Sequence, residues 1–110
     1  MRNTQYVAGA GTVFTALSTW RDRSQFSYRY GGALSLRYGN GRQLSVSAEK
    51  MRQLRTAHRG QIIAAFGASG SLDAWASAHI TPTRIVSYLA PALIDLGFAE
   101  RTGDKIRFLD

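Results

Sequence analysis

The stretch "ALSLRYGNGRQLSVS", residues 33–47, leaves this chain few options. Leu34, Leu36 and Tyr38 alternate with more polar or smaller residues before Gly39-Asn40-Gly41, and Leu44 and Val46 alternate after it. A period of two puts each set on one face of a strand, and Asn-Gly supplies the positive φ angles of a tight hairpin turn. A β-hairpin is therefore expected. Upstream, "QFSYRY" repeats the pattern with Phe26, Tyr28 and Tyr30, which extends the hairpin into an antiparallel meander.

The flanking segments read mostly as helix. Residues 1–11 have little periodicity and are expected to be loose, whereas Val13, Phe14, Leu17 and Trp20 fall at helical spacing after Thr12 and predict a short helix over 12–22. Ser47 caps a helix opening "SAEKMRQLRTAHRG", with Glu49 in its first turn, Met51, Leu54 and His58 on one face, and Gly60 at its end. "QIIAAFG" is short and bounded by glycine, which favours a strand. Ser71 then caps a helix over "LDAWASAH" that buries Leu72, Trp75 and Ala76.

Thr81-Pro82 predicts the start of a last helix. Its apolar face is Ile85, Leu89, Ala92, Leu93 and Leu96; Arg84, Ser87, Tyr88, Pro91 and Asp95 lie on the other. Pro91 is expected to kink or split it, because an interior proline removes a hydrogen bond, and Gly97 to stop it. "FAERTGDKIRFLD" then predicts a small hairpin turning at Gly103-Asp104, with Phe98, Ile106 and Phe108 inward and Arg101, Lys105 and Arg107 outward.

The class is α+β, and 110 residues at 45% apolar suffice for a single compact domain, in which residues 1–60 form a basic hairpin and helix and 61–110 a second half packed on it. There is no cysteine, which excludes a disulfide framework and a thiolate metal site. The uncharged run from Asn3 to Trp20 carries too many Thr, Ser and Gly residues to span a bilayer. Arg2 before "YVAGAGTVFTAL" only faintly mimics a secretory signal, so a cytoplasmic protein without membrane contact is expected.

Charge is the functional clue. The net charge is +7, and residues 1–59 hold ten cations against Asp22 and Glu49, whereas residues 60–110 hold four against five carboxylates. A basic half of this kind suits a polyanion. Arg29, Arg37 and Arg42 alternate with Tyr28, Tyr30 and Tyr38 along the predicted sheet; strand geometry sets Tyr28 and Tyr30 opposite Arg29, so the rings are expected in the core and the arginines at the surface, with bases stacking on exposed rings as the alternative. Arg52, Arg55 and Arg59, with Lys50, extend the cationic surface along the following helix.

Catalysis has no support. His58 and His79 pair with no nucleophile or carboxylate motif, "GASGS" misses the nucleophile-elbow spacing, and no Gly-Lys-Ser/Thr follows the glycine-rich hairpin. His58, on an apolar face, reads as a satisfied core histidine. Neither an enzyme, a cofactor nor a metal site is expected.

The order of a helix, a turn, a Thr-Pro-capped helix, "LGFAER" and a short basic hairpin resembles winged helix-turn-helix DNA-binding proteins over residues 61–110. That resemblance implies a supporting helix over residues 72–79, a recognition helix exposing Thr83, Arg84, Ser87 and Tyr88, and a wing in which Arg101, Lys105 and Arg107 contact phosphates or the minor groove. The expectation is a bacterial or phage nucleic-acid-binding protein, with duplex DNA as the favoured partner and transcription regulation as its setting. The competing expectation is a protein-docking or dimerisation module on the same scaffold.

Overall fold

The structure, a computed structural model, describes residues 14–21, 23–39, 41–67 and 69–109. The loose segment expected over residues 1–11, the Thr12 cap and Asn40 lie outside the described residues. The protein is α+β, with a four-stranded antiparallel sheet, three helices and a smaller three-stranded sheet.

The first sheet is a meander of β1 (Thr15–Ser18), β2 (Gln25–Gly31), β3 (Ala33–Tyr38) and β4 (Arg42–Val46), in that order. Its alternation is the one expected. Phe26, Tyr28, Leu34, Leu36 and Val46 are buried, with Tyr30, Tyr38 and Leu44 packed at the edge of the same core. Gly39 and Gly41 take φ of +58° and +83° at the hairpin turn. A side chain would be strained there.

The helix expected over 12–22 is corrected to strand β1 where the chain is described. Leu17 pairs with Phe26 and Thr15 with Tyr28, so the apolar spacing that suggested a helix belongs to two faces of a strand plus a turn. Leu17 turns toward the core, while Phe14 lies beside the outward arginines of β2 and β3. The turn after β1 closes locally, with the Thr19 N–H donating to the Ser24 carbonyl at 2.8 Å and the Ser24 N–H to Thr19 Oγ1 at 3.0 Å. Four residues of antiparallel pairing with β2 satisfy the inner edge of the β1 backbone.

Helix α1 (Ala48–His58) opens at Ser47, whose Oγ accepts from the Lys50 N–H at 3.1 Å. Met51, Leu54 and His58 are buried. The His58 Nδ1–H donates to the Leu54 carbonyl at 2.9 Å, and its ring stacks on Phe108 at 5.2 Å, which makes it the satisfied core histidine expected. After β5 (Ile62–Ala64), Ser71 Oγ accepts from the Ala74 N–H to open α2 (Leu72–His79).

Helix α3 spans Val86–Asp95, and the Thr81-Pro82 start is corrected. Thr81 Oγ1 instead accepts from the Thr83 N–H at 3.3 Å, so the threonine shapes a turn between α2 and α3 and does not cap a helix. The helix is continuous through Pro91, with no break into two elements. It ends on a paired arrangement: the Phe98 N–H donates to the Leu93 carbonyl and the Gly97 N–H to the Ile94 carbonyl, both at 3.0 Å, with Gly97 at φ +83°.

Strands β6 (Ala99–Thr102) and β7 (Lys105–Phe108) form the expected hairpin, and β5 pairs with β7 to give the order β5-β7-β6. One cluster of buried residues runs from Trp20 and the first sheet through α1, α2 and α3 to Ile106 and Phe108. Leu34, Leu36, Leu54, Leu89 and Leu93 are wholly buried in it, each stabilising by about 1.5–3 kcal/mol. Among the described residues, no helix is long and apolar enough to cross a membrane.

Candidate functional site

The residues expected to read a target from the last helix are not gathered on one open face. Thr83 and Arg84 precede α3 and are exposed. Arg84 Nε pairs with Asp73 Oδ2 at 3.3 Å, across the turn from α2. The Ser87 carbonyl accepts the Trp20 N–H at 3.1 Å. Tyr88 stacks on Tyr38 at 4.4 Å and meets the edge of Phe26 at 5.4 Å. The flank of α3 that was to face a partner is thus docked on the first sheet. Within α3 only Asp95 is exposed, and its Oδ2 accepts from the Tyr28 hydroxyl at 2.5 Å. Burial, then this hydrogen bond, then the carboxylate charge push the Tyr28 hydroxyl above its ordinary pKa.

The hairpin arginines are also committed in part. Arg101 folds its guanidinium over the Trp20 ring at 3.8 Å, donates from Nη1 to the Trp20 carbonyl at 3.2 Å and from Nε to the Gly103 carbonyl at 2.8 Å. Arg107 lies 3.6 Å from Glu100 on the neighbouring strand, and Lys105 is exposed.

The cations of the first half occupy two surfaces. Arg29 and Arg37 project from the outer face of the first sheet and flank the Phe14 ring at 5.1 and 3.9 Å, while Arg42 is exposed beside the hairpin turn. Helix α1 packs on the opposite, core side of that sheet. On it, Arg52, Arg55, Thr56 and Arg59 follow one another at spacings of three, one and three, which places them on one stripe. With Leu109 they line a cavity of about 140 Å³. Arg55 is held by stacking over Phe98 at 3.7 Å. Among the described residues no carboxylate lines this cavity, and none of its arginines is ion-paired.

No family model, curated protein or solved structure matches the chain.

A larger, open cavity of about 340 Å³ lies between the β1–β2 turn and α3, lined by Leu17, Trp20, Pro91 and Ile94 with Arg23, Asp95 and Arg101 on its rim. Two of its polar rim groups are already engaged, Asp95 with Tyr28 and Arg101 with Trp20.

Sequence reasoning named Arg52, Arg55 and Arg59 but missed Thr56 and Leu109. The helical spacing of residues 52, 55, 56 and 59 carries the signal for Thr56; Leu109 has none, because only the fold brings the last strand to α1. Asp73 was also missed. It is a first-turn acid of α2, where the helix dipole favours it, but nothing local in the sequence announces Arg84 as its partner.

Proposed function

We propose that the protein binds nucleic acid, duplex DNA foremost, and that its second half with α1 serves as a winged-helix scaffold. Support for the scaffold comes from the succession of α2, turn, α3, the Gly97-Phe98 step and the β6–β7 hairpin, which is the order the resemblance implies. In this reading α3 organises the core and the arginine stripe of α1 contacts the phosphates. Arginine forks match phosphate geometry and stay charged at every physiological pH.

The observation that carries the reading is that Arg52, Arg55 and Arg59 line one cavity with no lining carboxylate among the described residues, in a chain of net charge +7. The competing docking-module reading calls for an exposed apolar patch around Tyr88 and Ile80. Both are packed against the core, and Ile62, 54% exposed, is the sole large exposed apolar side chain among the described residues. Single exposed apolar residues of that kind are ordinary.

The test is a fluorescence-anisotropy titration of a random duplex at low and near-physiological salt. Binding that weakens steeply with salt is expected, and binding that stays flat across a tenfold rise contradicts phosphate contact.

A further inference from the structure

We infer that the cavity formed by Arg52, Arg55, Thr56, Arg59 and Leu109 is a seat for a phosphomonoester dianion, the form that nucleic acid presents at a 5′-phosphorylated end. The inference rests on the nucleic-acid reading for the source of the phosphate. Its chemistry rests on the cavity.

Size is the first constraint. At about 140 Å³ the cavity is well below the roughly 300–1,000 Å³ typical of pockets for drug-sized ligands, a size that suits a small oxyanion. Charge is the second. Three arginines stand on one stripe of α1, no carboxylate among the described residues lines the cavity, and none of the three is ion-paired. A phosphodiester brings one negative charge and two free oxygens. A phosphomonoester brings a charge of about −1.5 to −2 at neutral pH and three strong acceptor oxygens, the better match to three forks.

Preorganisation is the third. Arg55 is fixed against Phe98 before any ligand arrives, so its planar fork loses little freedom on binding. Thr56 and Leu109 complete the lining, the first with a hydroxyl-bearing side chain and the second with an apolar one. The site thereby differs from the outer face of the first sheet, where Arg29 and Arg37 flank Phe14 on an open surface.

The experiment compares two otherwise identical 3′-labelled duplexes, one with 5′-phosphate and one with 5′-hydroxyl ends, by anisotropy at fixed salt. Calorimetric titration of a nucleoside 5′-monophosphate and of inorganic phosphate completes it. The phosphorylated duplex is expected to bind about tenfold more tightly, the ratio that one further charged hydrogen-bond set supplies. Millimolar inorganic phosphate should abolish the difference. Arg52→Gln combined with Arg59→Gln should remove it too, while Arg52→Lys with Arg59→Lys, which keeps the charge and loses the fork, should restore only part. Circular dichroism establishes that each variant is folded. Equal binding of the two duplexes overturns the inference and leaves the nucleic-acid reading standing. Failure of both duplexes to bind overturns that reading instead. Monophosphate binding without duplex binding supports the seat and overturns nucleic acid as its source.

Discussion

The Trp20 N–H donates to the Ser87 carbonyl at 3.1 Å, and that carbonyl is the one the proline four residues later leaves free. In an uninterrupted helix the N–H of residue 91 would donate to Ser87, but Pro91 has no N–H to give. The vacancy is filled from the turn after β1. A residue that the sequence marks as a defect is therefore one of the points at which the two halves of the chain are joined.

Pro91→Ala should consequently bring little of the gain expected from removing an interior proline. That gain is about 3 kcal/mol where the freed carbonyl has no partner; here the change should stay within about 1 kcal/mol by urea unfolding. Hydrogen exchange at the Trp20 amide should accelerate in the variant as the new N–H competes for Ser87. A gain near the full value would mean that the Trp20 contact contributes little.

Arg84→Ala should act on stability and not on recognition. Asp73 is 6% exposed and loses its ion-pair partner, but Arg84 itself is 72% exposed and solvent screens the pair, so the cost should be about 1 kcal/mol and well below that of breaking a buried pair. Duplex affinity should change by less than about twofold, since a screened, already paired arginine makes few phosphate contacts. A large loss of binding at unchanged stability would return the reading role to the start of α3.

Tyr28→Phe should cost about 1–2 kcal/mol at neutral pH, because it deletes a hydrogen bond to the Asp95 carboxylate. The pH dependence has a definite sign. The folded-state pKa of Tyr28 is raised above its ordinary 10.0, so the protonated hydroxyl favours the fold, fully below about pH 10, and that contribution is lost as pH climbs toward the folded value. The stability gap between wild type and variant should be constant between about pH 7 and 9 and should shrink above about pH 10. A gap that persists undiminished at about pH 11 would contradict the raised pKa.

Trp20 and Arg101 test the junction from the other side. Trp20→Ala, which empties a buried site, should cost about 3–5 kcal/mol, whereas Arg101→Ala removes a stacked guanidinium at an exposed position and should cost about 1 kcal/mol. The salt dependence of duplex binding should be nearly the same in Arg101→Ala as in wild type. A markedly shallower dependence would make Arg101 a phosphate contact in the manner of a wing.

The parts of the fold that the sequence announced are those whose signals are local. Leu34 through Val46 show strict alternation around a glycine-flanked turn, and Ser47 and Ser71 carry their caps in the side chain, so these elements appear where expected. Residues 14–20 failed because an i, i+3 coincidence of Phe14, Leu17 and Trp20 cannot be told from strand alternation without knowing that β2 is there to pair with. Thr81-Pro82 failed for a related reason. The same hydroxyl that can cap a helix can close a turn, and the choice depends on where α2 ends, at a geometry set by Ile80 and Thr81 both donating to the Ala76 carbonyl.

The site was less legible than the fold. Charge counting located the cations in the first half, yet could not divide them between the outer face of the sheet, with Arg29 and Arg37, and the far side of α1, with Arg52, Arg55 and Arg59. Nor could periodicity reveal that Tyr88, on the polar side of the α3 helix, is covered by Tyr38 from the sheet. Both facts depend on how elements distant in sequence pack.

Phosphate contact through α1 is the proposal on which nucleic-acid binding by this chain stands. Its most direct test is the slope of log affinity against log salt for one duplex, measured for wild type and for the combined Arg52→Gln, Arg55→Gln and Arg59→Gln variant. Each lost phosphate contact lowers the slope by about 0.9, so the variant's slope should be shallower by at least about 0.9, with weaker binding at low salt. An unchanged slope in a folded variant would rule out phosphate contact through α1 and move it to another face of the protein.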